Sequence, residues 1–144
     1  MSKKTKIYVG CALTYAPENF RKSVASFKDE LRKDFDVLDF LWAKLQNPRD
    51  VDPKDVYEWD INGCVKDCDL FVAICDEVSI GLGYELGTAI EKYNKPVLAL
   101  IKKGKMLTRL VEGITNNNFS LKEYDKLNLD AVDFVKEKVR LFES

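Results

Sequence analysis

A nearly continuous apolar run occupies Asp69-Leu70-Phe71-Val72-Ala73-Ile74-Cys75. Such a run, without polar alternation, is typical of a strand buried on both faces of a parallel sheet. A loop at Asp76-Glu77-Val78 separates it from Ser79-Ile80-Gly81-Leu82-Gly83-Tyr84-Glu85-Leu86-Gly87, which opens a predicted helix running to about Tyr93. A buried strand followed by a helix is the repeating unit of α/β proteins.

The rest of the chain continues this alternation. Further strands are predicted at Lys6–Gly10, Phe35–Leu41, Pro96–Ile101 and Asn118–Tyr124, and further helices at Pro17–Lys33, Lys54–Asp67, Met106–Glu112 and Ala131–Phe142, with a polar loop at Gln46–Pro53. We predict an α/β fold: a three-layer sandwich with a five-stranded parallel sheet, flavodoxin-like or Rossmann-like. No repeat or linker divides the chain, so residues 1–144 are expected to form a single domain.

In sheets of this kind, ligands bind beyond the carboxyl ends of the strands. The loops that follow Gly10, Phe40 and Cys75, and the segment before Asp60, are therefore the places to search for a site.

The charge balance restricts the partners. Twenty-three basic and 24 acidic residues give a formal net charge of -1, without the basic excess of a protein that coats nucleic acid. A small anionic ligand needs only a few local donors.

No apolar run approaches the roughly 20 residues of a membrane span, and Met1–Gly10 does not resemble a signal peptide. We expect a cytoplasmic protein without nucleic-acid or membrane partners.

Histidine is absent, which excludes Ser-His-Asp and Cys-His chemistry. The four cysteines, Cys11, Cys64, Cys68 and Cys75, are interpreted as buried structural thiols. Cys64 and Cys68 are four residues apart on a predicted helix, but no histidine or nearby cysteine completes a metal-binding set. We expect no metal and no cofactor, and any catalytic group must come mainly from carboxylates, tyrosines, lysines or cysteines.

The turn at Ser79–Gly83 has the composition of an anion site. Glycines at a strand-to-helix turn let backbone N–H groups approach a ligand, and a helix N-terminus favours negative charge. The Ser79 hydroxyl adds a donor. Small residues at such turns also occur for packing alone, so local chemistry leaves both interpretations open.

Two carboxylates are predicted to converge on the same cleft. Glu85 follows Ser79 by six residues on the same helix, and Asp60 lies in Val56-Tyr57-Glu58-Trp59-Asp60-Ile61. Enzymes that cut glycosidic bonds use such a pair, one as nucleophile and one to handle protons or orientation. Either carboxylate alone also fits an ordinary helix-surface residue.

Three segments resemble a known family: Asp69–Ala73, Ser79–Ala89 and Lys95–Leu98. Together they resemble the nucleoside 2-deoxyribosyltransferase superfamily. Within it, the Ser-x-Gly-x-Gly-Tyr-Glu-Leu-Gly form of the motif is most similar to the 2'-deoxynucleoside 5'-monophosphate N-hydrolases, and related hydrolases act on cytidine monophosphates. The resemblance extends from Tyr8 to about Tyr124.

The resemblance implies an N-glycosidase whose nucleophile is Glu85. This residue would attack C1' of the sugar, expel the base and leave a glycosyl ester for water to hydrolyse. Asp60 would orient the sugar or the nucleophile, or help to protonate the base, and Tyr8 would lie near the nucleophile. Glu58 is the alternative to Asp60, because the interval from Asp60 to Asp69 is one residue longer than the family has.

The resemblance also implies the groups that bind substrate. Ser79 and the backbone of Gly81 and Gly83 would hold the 5'-phosphate, and Gly10 and Leu13 belong to the loop beside it. Thr108 matches a serine that reaches the phosphate of the neighbouring subunit, so a homodimer with shared sites is expected.

Ser79 favours a nucleotide over a nucleoside. Transferases of the family carry an aspartate at this position, which suits a neutral 5'-hydroxyl but repels phosphate, whereas a hydroxyl donates to phosphate. The sequence also departs from the hydrolases: Thr14 replaces an arginine and Cys11-Ala12 replaces a Gly-Ser pair. Lys102, Lys103 or Lys105 are candidates for the missing cation.

Aromatic residues near the strand ends suggest base stacking. Tyr15 and Trp42 are the candidates among Tyr15, Phe40, Trp42, Trp59 and Tyr84; most of the others are expected in the core.

Two alternative functions remain: a deoxyribosyltransferase that exchanges bases, and a nucleotide-binding sensor without turnover. The identity of the base, and ribose against deoxyribose, are not determined by the sequence.

Overall fold

Five parallel strands form one sheet in the order β2-β1-β3-β4-β5. The computed structural model describes residues 3–44 and 50–143. The strands are β1 (Lys6–Cys11), β2 (Asp36–Leu38), β3 (Leu70–Ile74), β4 (Val97–Lys102) and β5 (Phe119–Tyr124). This order is that of flavodoxin-like doubly wound folds, and the predicted α/β three-layer sandwich is confirmed.

Helices cover both faces of the sheet. The α-helices are α1 (Glu18–Arg32), α2 (Pro53–Tyr57), α3 (Ile80–Glu91), α4 (Arg109–Glu112) and α5 (Val132–Glu143). A 3₁₀-helix occupies Leu41–Lys44, and π-helical segments occupy Glu58–Val65 and Leu127–Ala131. None of the helices in the described residues has both the length and the apolar composition needed to cross a bilayer.

Two hydrophobic clusters lie on opposite faces of the sheet. Ile7 and Val9 belong to the cluster packed by α1 and α5, whereas Tyr8, between them, belongs to the cluster packed by α3 and the first π-helical segment. Successive side chains of a strand point to opposite faces, which explains this division. Tyr8 is thereby directed to the same side of the sheet as α3.

The strand order reverses between β1 and β3, because β2 lies outside β1 and β4 lies outside β3. Gly10 pairs with Ala73 and Cys11 with Ile74 at the carboxyl ends of these two strands. Ligands of doubly wound sheets bind in the crevice at this switch point. The loop after β1 and the N-terminus of α3 both open there.

The second strand is shorter than predicted. The prediction of a strand over Phe35–Leu41 is wrong at both ends: β2 contains only Asp36–Leu38, and Leu41 begins the 3₁₀-helix. β2 is an edge strand that pairs with β1 at three positions, so only these three residues belong to the sheet.

The predicted helix over Lys54–Asp67 is divided in two. Pro53 is the first residue of α2 and not part of the predicted loop, because Asp52 caps the helix by accepting a hydrogen bond from the Lys54 amide. From Glu58 the backbone becomes π-helical as far as Val65. Residues 46–49 of the predicted loop lie outside the described residues.

The C-terminal boundaries also differ from the predictions. Of the helix predicted over Met106–Glu112, only Arg109–Glu112 is helical. The terminal helix begins at Val132 and not at Ala131, which ends a π-helical turn instead. Helix boundaries depend on local hydrogen bonding that an apolar pattern does not specify.

Candidate active site

Tyr8 and Glu85 are in direct contact at the carboxyl end of the sheet. The Tyr8 hydroxyl donates a short hydrogen bond to Oε2 of Glu85. Tyr8 itself is only 1% exposed, and its ring packs edge-on against Phe71, with ring centroids 5.3 Å apart. The strand therefore holds a rigid donor against one oxygen of the carboxylate.

Helix α3 presents Glu85 to this donor because its other side chains fill the core. Leu82, Leu86 and Ala89 are buried along one stripe of the helix, and Glu85 lies at the edge of that stripe, partly buried. A residue at the border between the buried and the exposed face of an amphipathic helix can direct its side chain toward the strand ends while the helix stays packed on the sheet.

Gly10 leaves room for the second oxygen of the carboxylate. A Cβ at Gly10 would lie 3.6 Å from Oε1 of Glu85, 3.1 Å from Cδ1 of Leu82 and 2.9 Å from Cζ of Phe71. The last distance is closer than real Cβ atoms approach, so glycine is required for this packing. Glu85 thus has one oxygen held by Tyr8 and the other beside an open backbone.

Asp60 is anchored beside the same pair. Its Oδ1 accepts a hydrogen bond from the Leu41 amide at 2.8 Å, and the neighbouring Trp59 donates from Nε1 to the Asp39 carbonyl at 2.8 Å. Glu58, the alternative to Asp60, is exposed and accepts a hydrogen bond from the Asn62 side chain at 2.9 Å. The structure therefore orients Asp60 toward the loop after β2 and Glu58 toward solvent.

Burial raises the pKa of Glu85 to about 7; the Tyr8 hydrogen bond and the Lys28 charge oppose this rise, and the Asp60 charge adds to it. Burial also raises the pKa of Asp60, against the Leu41 hydrogen bond. The pKa of Tyr8 is well above its usual value, because of burial first and then the charges of Glu85 and Asp60. Perturbed carboxylates in a cleft are typical of catalytic sites.

Ser79 is the N-cap of α3. Its Oγ accepts a hydrogen bond from the Leu82 amide at 3.1 Å, which satisfies one N–H of the first turn. The hydroxyl hydrogen is not used in this bond. Gly81 and Gly83 lie exposed in the same first turns, and a Cβ at Gly83 would meet no atom within 4 Å.

The other predicted substrate residues are less enclosed. Leu13 is partly buried in the loop after β1, whereas Tyr15 in the same region is 95% exposed. Trp42 lies half-exposed on the 3₁₀-helix, and Thr108 is exposed at the start of α4, where its side chain caps no amide of that helix. The structure brings Tyr8, Gly10, Asp60 and Glu85 together and leaves Tyr15 and Thr108 on the surface of the chain.

Two of the three lysines proposed as substitutes for the missing arginine face a different cavity. Lys102 and Lys105 line a cavity of about 550 Å³ with Asn19, Lys22 and Tyr124, and neither Tyr8 nor Glu85 contributes to it. Lys105 is paired with Glu77 at 3.0 Å.

Strands β4 and β5 hold the loop before Ser79 in place through Asp76. The Asp76 carboxylate accepts hydrogen bonds from the Lys102 amide, at 3.0 Å, and from the hydroxyl of Tyr124, which is only 2% exposed. The loop between β3 and α3 is thereby attached to β4 and β5.

The four cysteines are free thiols. Cys64 and Cys68 are buried, and Cys11 and Cys75 are partly buried. Burial raises the pKa of Cys11 to about 11 and those of Cys68 and Cys75 to about 12, so these thiols stay protonated at neutral pH. Over residues 3–44 and 50–143, no three histidine, cysteine or acidic side chains are grouped as metal ligands.

Two cations near the site were not predicted from the sequence. Arg21 donates from its guanidinium to the carbonyl of Leu13 at 2.7 Å, beside the loop in which Thr14 replaces an arginine. Lys28 is buried near Asp39. Its signal was present in the sequence, since it occupies a core position of α1 in the spacing Val24, Phe27, Lys28, Leu31.

Part of the chain is similar in sequence to one curated protein. No protein-family model matches the chain. It is 42% identical over 72 residues to the "Putative 2'-deoxynucleoside 5'-phosphate N-hydrolase 1" of Nematostella vectensis. The match covers 48% of this chain and 48% of that relative, so the chain spans about half the length of the curated relative.

Two solved structures share the fold. The CMP N-glycosidase BcmB of Clostridium botulinum superposes with a TM-score of 0.66 at 20% identity, over 92% of this chain and 99% of that one. A conserved protein from Enterococcus faecalis V583 gives 0.62 at 20% identity, over 94% and 99%. At this identity the two likenesses show the fold alone. The predicted resemblance of this chain to the 2'-deoxynucleoside 5'-phosphate N-hydrolases is confirmed by the sequence match, over about half of the chain.

Proposed function

We propose that this protein hydrolyses the N-glycosidic bond of a nucleoside or deoxynucleoside 5'-monophosphate, with Glu85 as the nucleophile. The observation that carries the proposal is the Tyr8–Glu85 contact, in which a buried tyrosine holds one oxygen of a carboxylate at the switch point of the sheet. The names of the curated relative and of the Clostridium botulinum protein support cleavage of this kind of bond.

In the first step, Oε1 of ionised Glu85 forms a bond to C1' of the sugar. The bond between C1' and the base nitrogen breaks, and its electron pair leaves with the base. The Tyr8 hydrogen bond to Oε2 orients the carboxylate, so that the oxygen beside Gly10 faces the substrate. The product of this step is a glycosyl ester of Glu85, as in retaining glycosidases.

Asp60 is suited to the proton transfers. Burial raises its pKa, which favours a protonated form that donates its proton to the departing base. In the second step, a water oxygen attacks C1' and passes its proton to Asp60. The bond between C1' and Glu85 breaks, and its electron pair returns to the carboxylate. The net reaction consumes one water and releases the free base and a sugar phosphate.

The N-terminus of α3 supports a phosphate-bearing substrate. The Ser79 oxygen accepts the Leu82 amide, so its hydrogen is available to donate to a phosphate oxygen. The remaining amides of the first turn and the helix dipole favour the same charge. Thr108, exposed and without a capping bond, remains our candidate for contact with the phosphate of a second subunit in a homodimer.

A base-release assay tests the proposal. The purified chain is incubated with ribo- and deoxynucleoside monophosphates of each base, and free base is measured by chromatography. We expect release from at least one substrate, and a loss of about 10³-fold or more in Glu85→Gln. Glu91→Gln, on the exposed end of the same helix, is the matched control and should retain activity.

The same assay separates the alternatives. A second free base is added, and an exchanged nucleoside or nucleotide would indicate a deoxyribosyltransferase. Binding of a monophosphate by calorimetry, without release over long incubation, would indicate a sensor. Base release unaffected by Glu85→Gln would contradict the proposed nucleophile.

A further inference from the structure

Asp39, the residue that follows β2, contacts helical elements on both faces of the sheet. Its carboxylate accepts hydrogen bonds from Arg32 of α1 on both oxygens, at 2.9 and 2.8 Å. Lys28 of the same helix is buried and lies 3.4 Å from Oδ1 of Asp39. Arg32 is also paired with Asp29 at 3.0 Å, so two basic side chains face two acidic ones. The Asp39 side chain, 24% exposed, is thereby fixed against α1.

The backbone after β2 makes the contacts on the other face. The Asp39 carbonyl accepts a hydrogen bond from Nε1 of Trp59 at 2.8 Å and a weaker one from Sγ of Cys64 at 3.4 Å. Two residues later, the Leu41 amide donates to Oδ1 of Asp60 at 2.8 Å. These three bonds all lead to the first π-helical segment. The short stretch that begins at Asp39 therefore links α1 to the segment that carries Asp60.

The π-helical segment has reason to depend on such outside contacts. π-Helices are rare and occur mostly as single turns, whereas this one continues for eight residues, Glu58–Val65. Asp60 precedes the buried Ile61 and is itself only partly buried. Core packing therefore does not by itself fix the rotation of the Asp60 carboxylate, and the bond from the Leu41 amide does.

The Leu41 hydrogen bond also distinguishes the two oxygens of Asp60. An oxygen that accepts an N–H bond acts as an acceptor in both protonation states, so the hydrogen of the acid form is carried on Oδ2. A general acid must place this hydrogen within hydrogen-bond reach of the leaving nitrogen. A rotated carboxylate would keep its proton but would present it in the wrong direction.

We propose that Asp39 is a positioning residue, which joins α1 to the π-helical segment and holds the Leu41 amide where it orients the Asp60 carboxylate. Its role in turnover rests on the proposed function, in which Asp60 transfers the proton. Asp39 touches neither the substrate nor the reacting atoms in this scheme. Trp59 supports the same arrangement from the π-helical side, through its indole hydrogen bond.

The first test follows the contact between Leu41 and Asp60 in the free, nitrogen-labelled protein by NMR. The Leu41 amide resonance should shift with pH as Asp60 titrates, because the carboxylate is its acceptor. Asp39→Asn keeps the shape of the side chain and removes its charge. We expect it to reduce this shift by about half or more, and to speed hydrogen exchange of the amide about 10-fold. Asp36→Asn, exposed on β2, is the matched control and should change neither.

Base release gives the second test, as a double-mutant cycle. We expect Asp39→Asn to lower kcat about 10-fold and to change KM less than about twofold. In an Asp60→Asn background the same substitution should change kcat less than about twofold, because the residue through which it acts is gone. A general structural role would lower kcat by the same factor in both backgrounds, and that result would overturn the inference.

Two further measurements cover variants that fail. Should Asp39→Asn not fold, Trp59→Phe is measured in its place, since it removes only the indole donor at the other end of the link, and the same changes are expected. Should Asp60→Asn release no measurable base, the pH-dependent shift of the Leu41 amide decides.

The two proposals fail in different ways. A wild-type protein that releases no base, together with a loosened Leu41 amide in Asp39→Asn, would remove the proposed function and retain Asp39 as the residue that orients Asp60. A wild-type protein that releases base, with the Leu41 amide unchanged in both Asp39→Asn and Trp59→Phe, would retain the function and overturn the role of Asp39.

Discussion

Tyr8 of β1 donates its phenolic hydrogen to Oε2 of Glu85 on α3, a contact between residues 77 positions apart in the chain. A strand buried in the sheet and a helix packed upon it thereby fix the two atoms relative to each other. The carboxylate has one oxygen occupied and the other beside Gly10. Such a division into one held and one open oxygen is what a nucleophilic carboxylate requires.

The pH dependence of base release follows from this contact. Glu85 must be ionised to attack, and its pKa is about 7, so ionisation of Glu85 should give kcat/KM a limb that rises with pH through about 7. The Tyr8 hydrogen bond lowers that pKa. Tyr8→Phe should therefore move the rising limb to higher pH, by about one unit.

The matched control for Tyr8→Phe is Tyr57→Phe, since Tyr57 lies half-exposed at the surface. Profiles of kcat/KM from pH 5 to 9 are compared for the three proteins. A limb that stays at the wild-type pH in Tyr8→Phe would show that the hydrogen bond does not stabilise the ionised carboxylate.

Glu85 should also destabilise the folded protein at high pH. Its pKa rises from an ordinary value of 4.5 to about 7 on folding, so the folded chain binds more protons than the unfolded chain between these values. Stability is then lost as pH rises through this window, and the full cost of about 3 kcal/mol applies above pH 7. Glu85→Gln should recover up to that amount at pH 8 and change little at pH 4.

Urea unfolding at the two pH values measures this effect, with Glu91→Gln as the control on the same helix. Equal effects of Glu85→Gln at pH 4 and pH 8 would contradict an elevated pKa of Glu85.

Gly10 should be intolerant of any side chain. In Gly10→Ala the new Cβ would lie 2.9 Å from Phe71 Cζ, which forces a shift in the core and costs about 1–3 kcal/mol. Because Glu85 borders the same space, base release should fall as well. Thermal unfolding and the base-release assay measure the two effects.

Gly87→Ala is the matched control, since a Cβ there meets no atom within 4 Å and lies inside α3. It should raise stability by about 0.5–1 kcal/mol, because alanine favours a helix over glycine. A Gly10→Ala protein as stable and active as the wild type would refute the packing argument.

Ser79→Asp separates the capping role of Ser79 from its proposed role in phosphate binding. Aspartate caps a helix about as well as serine, so stability should change by less than about 0.5 kcal/mol. Its carboxylate would repel the 5'-phosphate. We expect KM for a monophosphate to rise about 10-fold or more and KM for the matching nucleoside to stay level or fall.

Steady-state kinetics with both substrates, and thermal unfolding, measure this outcome. Ser79→Ala is the complementary variant: it loses the cap, at about 1 kcal/mol, and it adds no repulsion. An equal loss for nucleoside and monophosphate in Ser79→Asp would contradict a phosphate site at this turn.

Much of the secondary structure was predictable from the sequence, because buried strands and helices have characteristic apolar patterns. The apolar run before Cys75 had to be a central strand, and glycines with Ser79 had to start a helix at the strand ends. Placing Glu85 at the cleft followed from counting along that helix. The contact between Tyr8 and Glu85 depends on strand order, and it was expected only through the resemblance.

Other features depend on interactions that no local pattern encodes. The π-helical segment Glu58–Val65 cannot be distinguished from an α-helix by apolar spacing, yet it contains Asp60 and the Trp59 contact to Asp39. Lys28 was missed because a lysine within a helix is normally assigned to the surface, although its neighbours in the stripe are core residues.

The attachment of Asp76 to Tyr124 changes how the outer edge of this protein should be treated in engineering. In a saturation-mutagenesis screen, substitutions at Tyr124 on β5 should appear among the variants with weakened substrate affinity, although β3 and β4 separate that strand from β1, which carries Tyr8. The reason is that Tyr124 and the Lys102 amide restrain the loop that ends at Ser79. A fusion partner or truncation that loosens β5 would therefore disturb the site, although β5 is the edge strand of the sheet.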